Sequence, residues 1–150
     1  MKQLDMKFNH EKITYGEIKS GIGEQWNADT EVYKWLCRSK ECDKRIGDTI
    51  VRLGQPEKLF NHKIWWECNV PQTVAAAGTN SRGKEHTFVS TEDIIHSQTF
   101  PEDYRFTVGG GQSETSLQTV QYVCGMSVPP LMIKRVVDRL IEQGVFYEAD

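Results

Sequence analysis

The chain has 150 residues, 38% hydrophobic and 26% charged, with a formal net charge of −3. That balance describes a soluble globular chain sized for one domain, or a small domain with an appendage. It argues against a protein that coats nucleic acid by bulk charge, leaves room for a local basic face, and contains no run of the roughly 18 apolar residues that a membrane span needs.

No signal peptide heads the sequence, so Cys37, Cys42, Cys68 and Cys124 read as reduced thiols of a cytoplasmic protein. At the N-terminus Leu4, Met6 and Phe8 alternate with polar or charged residues, the pattern of a short strand or an extended lead-in. Thr14 and Glu17 form a capping box that opens a short helix through Ile18, ended by Gly21 and Gly23. Asp29 or Thr30 then caps a second helix whose buried stripe is Val32, Trp35 and Leu36. Its outer face runs into a basic cluster, Lys34, Arg38, Lys40, Lys44 and Arg45, which reads first as a solvated face and second as a DNA-facing one. The Cys37–Cys42 and His62–Cys68 spacings fall in the range that zinc ligands use, which keeps a zinc-stabilised binding module as an alternative.

From residue 46 to 68 short apolar patches (Ile50 to Leu53, Leu59-Phe60, Ile64 to Trp66) are separated by Gly, Pro and Asn, and predict short strands. Trp65 and Trp66 point to opposite faces of such a strand, one to the core and the other available to a partner. Pro71 to Ala77 reads as a small-residue strand, and Gly78 to Lys84 as a flexible polar loop bearing two cations. Such a loop is either a solvent-exposed hairpin turn or a close approach to phosphates and base edges. Ser90 opens a helix over Thr91 to Ser97, with Asp93 at the third position of a second capping box. Pro101 stops further helix, Phe100 and Tyr104 offer buried anchors, and His96, without a signposted partner, reads as a surface or packing residue. Gly109 to Gly111 is a hinge, since no Lys-Ser follows to make it a phosphate loop. Pro129 and Pro130 open a closing helix with an apolar stripe of Met132, Ile133, Val136, Val137, Leu140 and Ile141, stopped at Gly144.

Two stretches carry more than secondary structure: Gln98-Thr99-Phe100-Pro101-Glu102-Asp103-Tyr104, and Gln121-Tyr122-Val123-Cys124-Gly125-Met126-Ser127-Val128-Pro129-Pro130. In order and spacing, Q-x-F-P-x-x-Y followed by Q-Y-x-x-G-x-S-V-P-P resembles the last two conserved motifs of DNA (cytosine-5) methyltransferases. Thr73-Val74 with its small residues and glycine-rich loop resembles the family's target recognition element. The resemblance implies that Thr73 touches the DNA backbone beside the target cytosine, and that Asn80, Arg82 and Lys84 face DNA. It also implies that Gly125 and Ser127 line an S-adenosylmethionine pocket, although Met126 stands where the family has Asn. The arginines that usually precede the Gln98 motif are absent.

The family's chemistry also needs a Pro-Cys nucleophile loop, a Glu-Asn-Val element and a Phe-x-Gly-x-Gly cofactor turn, and none occurs here. The family's Gln-x-Arg-x-Arg motif would lie upstream of Met1. These readings predict an α+β chain with no catalytic residue of its own and no metal ligand set. Residues 1–108 would form a small irregular recognition region, and residues 109–150 the glycine hinge, last motif and amphipathic helix. The expected role is DNA target recognition beside a separate catalytic chain, with S-adenosylmethionine bound only in the complete enzyme. A degenerate fragment with a structural or interaction role is the alternative. The closing helix, if left bare, would favour a homodimer.

Overall fold

The computed structural model describes residues 4–101, 104, 106 and 116–145. Local capping signals set three of its helices. Glu17 Oε2 accepts from the Thr14 N–H and hydroxyl at 2.6 and 2.7 Å and opens α1 (Tyr15–Ile18). Thr30 Oγ1 accepts from Tyr33 N at the start of α2 (Glu31–Leu36). Ser90 and Asp93 exchange backbone-to-side-chain bonds of 3.1 and 3.2 Å to open α4 (Thr91–Ser97).

The apolar patch Ile50 to Leu53 falls at the end of a helix, contrary to the expected strand. Asp48 Oδ2 accepts from Lys44 N and Arg45 N and caps α3 (Ile46–Arg52), whose Ile46, Thr49 and Ile50 turn inward at helical spacing. A patch this short fits either period, and the cap decides it. A helix the sequence reading missed, α5 (Leu117–Met126), is capped by Ser116. The expected closing helix is α6 (Pro130–Glu142), and Gly144 stops it at a φ of +71°.

Three strands form one mixed sheet, giving a small α+β fold: β1 (His62–Trp65), β2 (Thr79–Arg82) and β3 (Thr87–Phe88), in the order β1-β2-β3. β1 and β2 run parallel with Trp65 opposite Arg82, and β2 and β3 antiparallel with Ser81 opposite Phe88. Residues 71–77 form no strand, and residues 4–14 carry no regular structure, in keeping with an extended lead-in. The expected glycine hinge at Gly109 to Gly111 lies outside the described residues.

Both tryptophans of β1 and its end are buried, on different sides. Trp65 joins Tyr15, Val74, Val89, Ile94, Val120 and Cys124, so α1, α4 and α5 share its core. Trp66 joins Leu36, Ile46, Ile50 and Ile64 under α2 and α3, and its Nε1 donates to Asp43 O. Neither is left for a partner. α6 differs: none of its residues is buried, and Met132, Ile133, Val137 and Ile141 are exposed. The lead-in is tied to it where Arg139 Nη2 and Asp5 Oδ2 meet at 3.1 Å and Gln143 Oε1 accepts from Asp5 N. Among the described residues no helix is long and apolar enough to cross a membrane.

Buried His62, its Nε2 2.8 Å from Ser81 Oγ, has its pKa pushed down by burial to about 4. An unfolded histidine protonates near 6.5, so protons bind the unfolded chain first and the native state loses stability as pH falls from 6.5 toward 4. Urea unfolding at pH 7 and pH 5 should differ by roughly 2 kcal/mol through this residue. His62→Asn should flatten that difference.

Candidate nucleic-acid interface

The element expected to be a flexible DNA-facing loop is the central strand of the sheet. Asn80, Ser81 and Arg82 face inward, and each has a side-chain partner there. Ser81 Oγ takes Trp26 Nε1 at 2.9 Å and sits against His62. Arg82 is 4% exposed: its Nε and Nη2 donate to Asp93 Oδ2 at 3.0 and 2.6 Å, and Nη2 also reaches Ser20 O. Asp93 is fully buried and accepts further from Tyr15 Oη, Ser20 N and Ser90 N. Burial, with Asp93 alongside, pushes the Tyr15 hydroxyl pKa up, so it remains a donor. Arg82 is therefore an internal cation and offers no phosphate contact.

Asn80 is likewise 5% exposed. Its Nδ2 donates to Gln121 Oε1 at 3.3 Å, and Gln121 Nε2 donates to Gly78 O at 2.6 Å and Ala75 O at 3.3 Å. One helical turn on, Gly125 faces the same segment so closely that a Cβ there would stand 2.3 Å from Ala76 N. Gln121 and Gly125 thus form the face of α5 that seats residues 75–78. Ser127 Oγ donates to Val123 O at 2.6 Å, closing the helix. The two residues expected at a cofactor pocket are engaged in packing and capping. A cleft of about 370 Å³ lies beside this junction, lined by Asn80, Phe88, Ile94, Leu117 and Gln121 among others.

The surface keeps the other two expected DNA residues. Thr73 is exposed, and its carbonyl accepts from Lys63 Nζ. Lys84 is exposed and pairs with Glu67 Oε2 at 3.4 Å. The residue directly after the second motif reaches the first, through a 3.1 Å bond from Leu131 N to Thr99 Oγ1. Sequence reasoning missed the packing roles of Gln121 and Gly125, although their four-residue spacing was the available signal. Cys37, Cys42, His62 and Cys68 do not converge. The three cysteines are exposed while His62 is buried, and no group of three or more potential metal ligands occurs among the described residues.

Arg82→Ala would leave the buried Asp93 carboxylate without its cation, which costs about 3–5 kcal/mol. The midpoint of urea unfolding should fall accordingly, and any loss of DNA binding by this variant would report unfolding. Lys84→Ala, at an exposed pair, should change stability by less than about 1 kcal/mol.

No family model, curated protein or solved structure matches the chain.

Proposed function

We propose that the chain is the DNA target-recognition portion of a DNA (cytosine-5) methyltransferase, with the nucleophile and principal cofactor elements carried on a separate chain. The observation that supports this reading is the joining of the three stretches that bear the resemblance. Gln121 of the last motif bonds to Gly78 O and Ala75 O of the recognition-like element, and Leu131, directly after that motif, bonds through its N–H to Thr99 of the Q-x-F-P motif. S-adenosylmethionine would belong to the complete enzyme, and Gly125 and Ser127 would support its pocket through the shape of the α5–α6 corner.

A second reading, an interaction module derived from such an enzyme, draws on α6. Its exposed Met132, Ile133, Val137 and Ile141 make an apolar surface of the kind that partners cover. Within the leading reading that surface is the seat of the catalytic chain, and in isolated protein it would favour a homodimer.

Fluorescence anisotropy with double-stranded oligonucleotides at 50 to 300 mM salt tests the reading. The purified chain should bind, with affinity falling steeply as salt rises, and should transfer no methyl group on its own. Absence of binding at 50 mM salt would remove the DNA-recognition role and leave the interaction module.

A further inference from the structure

The cations of this acidic chain are not used alike. Arg45, Arg52, Lys58, Lys84 and Arg139 each pair with a carboxylate, and Arg82 is buried on Asp93. Lys34, Arg38, Lys40 and Lys44 are all exposed and make no ion pair among the described residues. They fall within eleven residues of the α2–α3 corner.

The backbone beneath them is fixed by groups whose charge is already neutralised. Arg52 Nη2 donates to Arg38 O at 2.8 Å. Asp43, buried and paired with Arg52, accepts from Lys40 N at 2.9 Å, and Asp48, paired with Arg45, accepts from Lys44 N at 3.0 Å. Arg38 is further held over the Trp35 ring, 5.4 Å from its centre. The carboxylates that would cancel the patch instead brace it. Glu41 is the remaining acid of the stretch, which leaves a local excess of positive charge on a chain of net charge −3.

The same corner reaches Thr73. Gln72 Nε2 donates to Lys44 O and, at 3.1 Å, to Ile64 O, while Lys63 Nζ donates to Thr73 O. From this geometry we infer that the α2–α3 corner, continued through Thr73, is the surface that docks on the DNA phosphate backbone, in place of the strand that holds Arg82. A rigid loop loses little entropy on ordering against a regular array of charges, and each phosphate neutralised releases condensed counterions. This inference rests on the DNA-recognition reading and names the face that serves it.

The test compares wild type with Lys34→Gln/Arg38→Gln/Lys40→Gln/Lys44→Gln in duplex-DNA anisotropy from 50 to 300 mM salt. A control of equal charge carries Lys7→Gln/Lys12→Gln/Lys134→Gln/Arg135→Gln. The corner variant should bind roughly tenfold or more weakly at 100 mM salt, with a salt slope shallower by about two to four, while the control stays within about threefold of wild type. Two half-variants, Lys34→Gln/Lys40→Gln and Arg38→Gln/Lys44→Gln, should each take part of the slope, and their thermal midpoints should match wild type. Equal weakening by the control, or an unchanged slope in the corner variant while wild type binds, overturns this surface and leaves the DNA-recognition reading standing. A wild type that binds no duplex overturns both.

Discussion

The fold depends on one buried carboxylate. Asp93 sits at the first turn of α4 and receives hydrogen bonds from α1 through Tyr15, from the following loop through Ser20, from its own cap through Ser90, and from β2 through Arg82. Burying such a charge is affordable only where its lone pairs are filled and an opposite charge lies against it, and both conditions hold here. A pair of this kind adds less net stability than its geometry suggests, but it is intolerant of alternatives. It sets which way β2 faces and where α1 and α4 meet.

That pair also explains where the sequence misleads. The Thr14, Thr30 and Ser90 caps were legible because capping is a local exchange between residues three apart, and the helices they open lie where expected. Asn80, Ser81 and Arg82 were not, because a polar run looks the same whether its partners are water or distant side chains. Their partners Gln121, His62 and Asp93 lie between 11 and 41 residues away in the chain. The strand expected over Ile50 to Leu53 failed for a different reason: the apolar run carries no period of its own, and Asp48 supplies the helix start. Residues 71–77, read as a small-residue strand, form none; three alanines and a proline favour a strand weakly, and α5 lies against the segment with Gly125 and Gln121.

The candidate site was legible in its parts but not in their roles. Thr73 and Lys84 lie at the surface as a DNA contact requires, while Asn80 and Arg82 turn inward to hold the strand. Gly125, which the resemblance placed at a cofactor pocket, instead packs closely against a neighbouring backbone, as does the motif's Gln121. Selection for a close fit and selection for a ligand leave the same residue types behind, and only geometry separates them. The basic residues around Lys40 show the reverse, since a stretch that looked like an ordinary solvated face is braced from below by Asp43 and Asp48.

The adjacency of Trp65 and Trp66 carries a consequence for how the chain comes apart. One peptide bond joins the core under α4 and α5 to the core under α2 and α3. A strand that leaves one core drags its neighbour out of the other, so the two halves cannot open as separate units. The amides that bind β1 to its surroundings, Ile64 N on Lys44 O and Gly83 N on Trp65 O, should exchange with solvent only when both halves open. They act as a common latch, and unfolding should proceed as a single event despite the two cores.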